Sequence, residues 1–202
     1  MHRALATAAL PLLFLACAPA SPPPAAPVAP PAALTAAPDA REQQAQGEQL
    51  AAAFCDAWNR HDMDAFAALQ AEDADFVNIF GMWWHGRAEI RKNHVGIHET
   101  VFRQSRLTSV RVETRFVTPE IAVVRWAWEL KGVLTPDGQP VPDMQGILVH
   151  VARREGSRLQ IVTTQNTSAT ADAFRAVRGM DSSGKPAQES PAGPPAAGAQ
   201  NR

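Results

Sequence analysis

The distribution of proline along the chain limits most strongly what the chain can fold into. Of the 17 prolines, nine lie within residues 1–38 and four within residues 177–202, while all five tryptophans lie between those segments. Proline has no backbone N–H and interrupts helices and sheets, so regular structure belongs to the middle of the chain. The pattern predicts one compact domain over residues 39–176, a length that buries a sizeable core.

The two proline-rich flanks have the composition of segments that do not form a core. Residues 18–38 contain neither an aromatic nor a charged residue. Such a Pro/Ala-rich stretch favours extended polyproline II structure over packing. We therefore expect a linker over residues 18–38 and a disordered tail over residues 177–202.

The chain opens with a short apolar stretch, Ala4–Ala16, after a basic start. This stretch is too short to span a bilayer and is typical of a secretory signal. With residues 13–16 before it, Cys17 resembles the cysteine of a bacterial lipobox, so residues 1–17 are expected to form a lipoprotein-type signal. Lipidation of Cys17 would anchor the protein to the cell envelope through acyl chains alone. The alternative is cleavage after Ala20, in an A-x-A sequence, which predicts a soluble secreted or periplasmic protein.

The charge argues against a nucleic-acid-binding protein, and the cysteine content argues against a protein stabilised by disulfides. The formal net charge is −1 and the basic residues are scattered, so no nucleic-acid partner is expected. The two cysteines are Cys17 and Cys55. With Cys17 lipidated no disulfide forms within the chain, and the surroundings of Cys55 predict a buried, unreactive thiol.

Within the middle segment, the helical patterns precede the four long strand patterns. Three segments have apolar residues spaced by three or four and are predicted helices: 39–59, 63–69 and 87–102. Six segments alternate and are predicted strands: 75–80, 82–85, 107–117, 121–133, 144–154 and 159–167. The sequence TPDG at residues 135–138 predicts a hairpin turn. This order indicates an α+β fold in which a curved antiparallel sheet packs on three N-terminal helices.

Four motifs in this region are similar to a known superfamily. They are Trp58-Asn-x-His61-Asp62, residues 72–81 (EDADFVNIFG), residues 84–94 (WHGRAEIRKNH) and Gln165-Asn166-Thr167. With the order of elements, they resemble the nuclear transport factor 2-like, SnoaL-like superfamily and, within it, the SgcJ/EcaC subgroup. The resemblance covers about residues 44–170 and implies the cone-shaped barrel of ketosteroid isomerases, which encloses a cavity. One fold serves isomerases, cyclases, dehydratases and binding modules there, so function depends on the cavity residues.

The resemblance places Asn78 where ketosteroid isomerases carry their catalytic base. An amide cannot take a proton at neutral pH, but it can hydrogen-bond a carbonyl or an oxyanion. The isomerase mechanism also needs a tyrosine donor, and this chain has no tyrosine. That mechanism is therefore not expected here. No cofactor is expected either, since no flavin or nicotinamide fingerprint occurs.

His94 is the candidate catalytic residue. It shares a predicted helix face with Ile90, Ile97 and Val101, where desolvation lowers the pKa of a histidine and keeps the ring neutral, as a general base requires. The alternatives are a core histidine with one hydrogen bond, or a metal ligand paired with His98. The metal pattern lacks the glutamate of the zinc-protease motif, so no metal is expected.

Aromatic and amide side chains complete the predicted cavity. Trp126 and Trp128 lie two apart on one strand and share a face, either as pocket walls or as core residues. With Trp84, Asn78 and Asn166 they are the candidate substrate-binding residues. The same alternation turns the charged residues of that strand outward.

Two functions are compatible with these patterns. The first is an exported domain that binds a small hydrophobic molecule bearing a carbonyl group, with isomerase-, cyclase- or dehydratase-type proton chemistry by His94. The second is a non-catalytic module at the cell envelope that binds a ligand or forms a homodimer through its outer sheet face. Apolar residues on both faces of Ile147–Val151 favour a protein contact there. For His150, in the same strand, the sequence leaves the role open, and a surface or dimer role is one of the alternatives.

Overall fold

The computed structural model describes residues 39–179. The predicted signal over residues 1–17 and the predicted linker over residues 18–38 lie outside the described residues, as does the predicted tail over residues 177–202 apart from residues 177–179. The elements follow one another as α1 (Ala40–Asn59), α2 (Met63–Ala68), β1 (Gln70–Val77), β2 (Trp83–His85), α3 (Arg87–His98), β3 (Arg106–Phe116), β4 (Ile121–Lys131), β5 (Met144–Glu155), β6 (Arg158–Ser168) and α4 (Ala171–Arg178). Within residues 39–179, no helix is both long and apolar enough to cross a membrane.

Helix α1 begins at a side-chain cap and packs closely on the sheet. The carboxylate of Asp39 accepts a hydrogen bond from the backbone N–H of Glu42 at 2.8 Å, which satisfies a donor at the helix start. Phe54 lies on the buried face of the helix. Gly47 lies where the helix meets β3, because a Cβ there would be 1.7 Å from Thr114 Oγ1. Only glycine allows this close approach.

The strands form one six-stranded sheet in the order β2-β1-β6-β5-β4-β3. The four long strands, β3 to β6, pair consecutively as antiparallel neighbours, as the alternation and the turn at residues 135–138 predict. Strand β1 instead pairs parallel with β6 and antiparallel with β2. The predicted α+β class is confirmed, with a curved, unclosed sheet that is antiparallel apart from the β1–β6 pair.

Helix α1 also protects the free edge of β3. Gln44 Nε2 donates to the Val112 carbonyl at 2.9 Å, and Gln44 Oε1 accepts from the Thr114 N–H at 3.2 Å. Asn59 makes the same two-way contact with the backbone of Leu107, at 2.9 and 2.8 Å. Unpaired strand edges are templates for aggregation, and these amides occupy groups that another strand would bind. Asn59 of the first motif therefore has a structural role.

A fourth helix, α4, follows β6, and the sequence pattern does not predict it. Thr170 caps its start, and Phe174 is buried. Arg178 Nη1 donates to Glu129 Oε1 at 2.8 Å, which places the helix beside the outward side of β4. Because α4 packs against β4 and β5, it covers part of the outer sheet face.

Candidate functional site

The inner face of the sheet encloses a cavity of about 90 Å³ together with α1 and α3. Its walls are apolar and largely aromatic; they include Phe54, Trp58, Phe76, Trp84, Trp128 and Leu148. Among the described residues, no carboxylate, lysine or arginine lines it. Apart from tryptophan ring nitrogens, its polar side-chain groups come from Asn78, His94 and Asn166. The structure therefore brings together five of the six predicted catalytic and substrate-binding residues.

His94 presents one free ring nitrogen. Its Nδ1 lies 2.8 Å from the Ile90 carbonyl oxygen. A carbonyl only accepts hydrogen bonds, so Nδ1 carries the proton and Nε2 keeps its lone pair. No group among residues 39–179 hydrogen-bonds Nε2, and His94 lines the cavity. Nε2 is therefore the acceptor available to a ligand.

Burial keeps His94 neutral. The ring centroids of Phe66, Phe76 and Trp84 lie 4.4, 5.0 and 5.2 Å from the centroid of its imidazole ring. Desolvation lowers the pKa of His94 to about 4, although the hydrogen bond to the Ile90 carbonyl opposes this shift. The ring is uncharged at neutral pH, as its place in an apolar helix stripe predicts.

Asn78 follows β1 and organises the loop that leads to β2. Its Oδ1 accepts hydrogen bonds from the backbone N–H groups of Phe80 at 2.9 Å and Met82 at 3.0 Å. These bonds orient the amide, because a backbone N–H only donates. The Nδ2 group has no partner within residues 39–179, so Asn78 is left to act at the cavity as a donor. The sequence alone left both the donor and the acceptor role open.

Asn166 faces the cavity from β6, and a neighbouring tryptophan fixes its orientation. Trp128 Nε1 donates to Asn166 Oδ1 at 3.0 Å, so the Nδ2 donors remain for a ligand. Gly146 makes room for that indole, since a Cβ at this position would lie 2.3 Å from Trp128 Cζ2. Sequence reasoning did not single out Gly146, and no local sequence signal marks it.

Trp126 lies in the core and does not line the cavity. It is 1 % exposed, and its Nε1 donates to His150 Nε2 at 2.9 Å. The Nδ1 of His150 lies 2.9 Å from Thr164 Oγ1. His150 is fully buried, which excludes the surface role that the sequence left open for it. Trp84 and Trp128 are the two of the three candidate tryptophans that line the cavity.

His98 lies one helical turn after His94 but lines a different cavity. Its Nδ1 is 2.8 Å from His61 Nδ1, and both rings border a separate cavity of about 270 Å³ with Asp64 and Arg91. Within residues 39–179, no three histidine, cysteine or carboxylate side chains converge as a metal site.

Cys55 is a buried thiol, as the sequence predicts. The side chain is buried and forms no disulfide. Desolvation raises the pKa of its thiol to about 11, so the nucleophilic thiolate is scarce at neutral pH.

The mouth of the cavity is apolar, and the sequence patterns did not assign it to the site. We call it the rim; it consists of Ile79, Phe80, Met82, Ile97 and Val101, which line the cavity without being fully buried. Phe80 is 75 % exposed and Met82 49 % exposed. The sequence pattern places Ile79, Phe80 and Met82 in the predicted strands 75–80 and 82–85, but β1 ends at Val77 and β2 begins at Trp83, so these residues lie in the loop between the strands.

The cavity thus offers two amide donors and one imidazole acceptor in an apolar box. The donors suit a carbonyl or enolate oxygen, and the acceptor suits a hydroxyl or an acidic C–H group. A charged ligand would lose its hydration without finding a partner of opposite charge. The arrangement matches a neutral, oxygen-bearing group on an apolar molecule.

Comparison with known proteins agrees with this architecture. A family model described as a SnoaL-like domain matches residues 51–179. An uncharacterized protein with a cystatin-like fold from Caulobacter vibrioides is 27 % identical, with a TM-score of 0.60 over 66 % of this chain and 94 % of that chain. A domain of unknown function with a cystatin-like fold from Nostoc punctiforme is 25 % identical, with a TM-score of 0.51 over 66 % and 92 %.

A ketosteroid isomerase-like protein from Erwinia carotovora atroseptica is 20 % identical, with a TM-score of 0.53 over 64 % of this chain and 98 % of that chain. At that identity the likeness shows the fold alone. No curated protein matches the sequence. The SgcJ/EcaC assignment stays a prediction. Because the family model covers more than half of the sequence, the chain belongs to the SnoaL-like domain family.

Proposed function

We propose that this domain binds a neutral hydrophobic molecule by its carbonyl oxygen and moves a proton on the adjacent carbon. The family and fold support small-molecule binding in general. The observation that carries the finer proposal is the set of unused hydrogen-bonding groups in the cavity. Asn78 Nδ2 and Asn166 Nδ2 remain as donors, and His94 Nε2 remains as an acceptor.

The proposed step is an enolisation. His94 Nε2 takes a proton from the carbon next to the carbonyl, the C–H electrons form a C=C bond, and the carbonyl oxygen becomes negative. The Asn78 and Asn166 amides donate to that oxygen. The imidazolium then returns its proton to the same or a conjugated carbon. These residues thereby account for isomerisation without a further reactant.

The basicity of His94 is low but sufficient for this chemistry. A pKa of about 4 leaves the ring uncharged at neutral pH, with the proton on Nδ1 and none on Nε2. In ketosteroid isomerase an aspartate with a pKa of about 4.6 acts as the base, assisted by two donors to the oxyanion. The amide pair here is weaker than that donor set, so slower turnover is expected.

Proton exchange of a simple ketone tests the proposal without knowledge of the natural substrate. The α-protons of 2-hexanone exchange with D₂O, and NMR follows their loss. We expect the protein to accelerate exchange and His94→Gln, which lacks a basic nitrogen, to reduce the acceleration by about 100-fold or more. Asn166→Asp keeps an acceptor for Trp128 but removes the amide donor, and an about 10- to 100-fold loss is expected.

Controls separate chemistry from binding and from folding. Tryptophan fluorescence reports ketone binding in the same samples, because Trp58, Trp84 and Trp128 line the cavity. Gln165→Glu is the matched control, since Gln165 is exposed on the neighbouring position of β6. Binding without accelerated exchange would leave the non-catalytic module as the function. Absence of both would contradict the proposal.

We also propose that the chain forms a homodimer through the outer face of its sheet. Val123, Val149 and Val151 are half-buried there, and Val123 pairs directly with Val151. A contiguous aliphatic patch on a sheet face is typical of a protein contact. Val149→Asp is expected to convert a dimer to a monomer in light scattering. A wild-type protein that is monomeric at micromolar concentration would contradict this.

We also propose that the protein is exported and lipidated at Cys17. The support is in the sequence, where the short apolar stretch Ala4–Ala16 precedes Cys17. The mass of the mature N-terminus decides the question. An acylated Cys17 is expected, whereas an unmodified N-terminus at Ser21 would mean that the exported protein has no anchor.

A further inference from the structure

The volume of the cavity is smaller than that of a typical hydrophobic ligand. Its volume of about 90 Å³ is below the roughly 150 Å³ of an apolar cavity that accommodates benzene. A carbonyl group with its nearest carbons fills such a space. The rest of a larger ligand has to lie outside it.

We infer that the rim is a second binding subsite, which holds the aliphatic part of an amphipathic ligand whose carbonyl end enters the cavity. This inference rests on the proposed function and narrows its ligand class to ketones or aldehydes with an extended apolar chain. The polar end is recognised inside, by Asn78, Asn166 and His94. The chain is recognised at the mouth.

Continuity between the cavity and its mouth supports this subsite. Phe80 and Met82 belong to the cavity lining and are also largely exposed to solvent. Ile97 and Val101, at the end of α3 and in the turn after it, extend the same apolar surface. Exposed apolar surface that joins a cavity is typical of a ligand-binding groove. A chain leaving the cavity therefore meets apolar side chains.

Hydrogen bonds fix the conformation of the exposed loop over residues 78–82. Asn78 Oδ1 accepts from the N–H groups of Phe80 and Met82, at 2.9 and 3.0 Å. The Asn78 N–H donates to the Met82 carbonyl and the Gly81 N–H to the Asn78 carbonyl, both at 3.0 Å. Gly81 has a φ of 78°, which suits glycine. The loop thus presents Phe80 to solvent in a fixed conformation.

Trp83 shows that exposure alone does not define the subsite. It is 71 % exposed, but it points away from the neighbouring cavity residue Trp84, because successive strand residues alternate sides. Its Nε1 donates to Asp75 Oδ1 at 3.0 Å. Trp83 is therefore a matched control for Phe80, because its large exposed ring lies on the side of β2 that faces away from the cavity, whereas Phe80 lies in the loop before β2.

A homologous series of methyl ketones, from 2-hexanone to 2-decanone, tests the inference on the full chain by titration of tryptophan fluorescence. We expect affinity to rise about two- to fourfold per added methylene as the chain covers the rim. In Phe80→Ser with Met82→Ser this increase should disappear, so that 2-decanone loses about tenfold or more in affinity relative to 2-hexanone. Trp83→Ser should retain the increase, and thermal unfolding confirms that each variant is folded.

The outcomes separate this inference from the proposed function. Two results would overturn the rim subsite. In the first, affinity rises with chain length as steeply in the Phe80/Met82 variant as in the wild type. In the second, the wild-type affinity does not rise with chain length. If Asn166→Asp lowers the affinity for all ketones by the same factor, the carbonyl site is supported. The dependence of affinity on chain length then decides whether the rim is a subsite. Full 2-hexanone affinity in Asn166→Asp would instead overturn the proposed function. Loss of phosphatidylcholine vesicle binding in the Phe80/Met82 variant, without an effect on ketone affinity, would assign the rim to a bilayer and contradict the subsite.

Discussion

His94 and His150 are both buried histidines of one core, yet only one of them belongs to the cavity. They are 2 % and 0 % exposed, and desolvation lowers their pKa values to about 4 and about 3. His150 uses both ring nitrogens, because Nε2 accepts from Trp126 and Nδ1 faces Thr164. His94 uses only Nδ1, toward the Ile90 carbonyl.

This difference shows which property distinguishes a histidine in a ligand-binding site from a structural histidine. Burial and a lowered pKa are common to both residues, so neither distinguishes a reactive histidine from a structural one. The distinguishing property is a ring nitrogen that faces open space without a partner. A buried network with every group bonded contributes rigidity, whereas an unused acceptor in a cavity is available to a ligand.

Acid should produce the largest effect, because it acts on both histidines and on His98, whose pKa is lowered to about 3, chiefly by desolvation. The unfolded chain takes up these protons near pH 6.5, while the folded chain does so only near pH 3–4. Stability is thus highest above pH 6.5 and falls with decreasing pH, by up to about 4 kcal/mol per pH unit. Urea titrations from pH 7 to pH 5 measure this slope. A free energy of unfolding that is flat over that range would contradict it.

The same substitution at the two histidines should affect stability unequally. Glutamine at His150 cannot serve Trp126 and Thr164 together, and we expect a loss of about 2–3 kcal/mol from an unsatisfied buried group. Glutamine at His94 loses one bond to a carbonyl that lies within a helix, so about 1 kcal/mol is expected. Urea denaturation at pH 7.5 compares the two variants. Equal losses would mean that the His94 ring is as tightly bonded as that of His150.

Gly146→Ala tests whether the cavity depends on backbone space beneath Trp128. The added methyl would lie 2.2 Å from the Thr167 carbonyl oxygen and 2.3 Å from the indole, so overpacking should cost about 1–3 kcal/mol. Because Trp128 orients Asn166, ketone affinity should fall as well. Calorimetry with ligand titration checks both effects, and unchanged ketone affinity would remove Gly146 from the account of the site.

Gly96→Ala is the matched control and should produce the smallest effect. Gly96 lies within α3, and a Cβ there meets nothing within 4 Å. Alanine favours a helix over glycine by about 0.5–1 kcal/mol, so a small rise in stability with unchanged ketone binding is expected. Destabilisation would indicate a contact at Gly96 that the structure does not show.

Local patterns were sufficient to predict most elements of the fold. The strands β3 to β6 alternate over long stretches and join through short turns, and α2 begins at a capping aspartate, since Asp62 accepts from the Ala65 N–H. The parallel pairing of β1 with β6 joins segments far apart in sequence, so no local pattern contains it. Helix α4 was missed because it is short and has a single buried residue, Phe174.

The sequence predicts which strand residues share the inner face of the sheet, but it does not predict which of them line the cavity. Trp126 and Trp128 have the same parity on β4, so alternation alone cannot tell which lies deeper. Neighbouring strands decide, because Trp126 pairs in register with Leu148 and Trp128 with Gly146. The roles of the amides were equally hidden, since the oxygen of Asn78 is consumed by a loop whose conformation the sequence pattern does not specify.

The tautomer and ligand response of His94 test the central claim most directly. Two-bond ¹H–¹⁵N correlation spectra at pH 7, with 2-hexanone added stepwise, report the state of each ring nitrogen. We expect His94 and His150 both to be neutral and protonated at Nδ1, and only the Nε2 signal of His94 to shift with ketone. A His94 ring that is protonated at Nε2, or a ketone that leaves the His94 signals unmoved, would contradict the account.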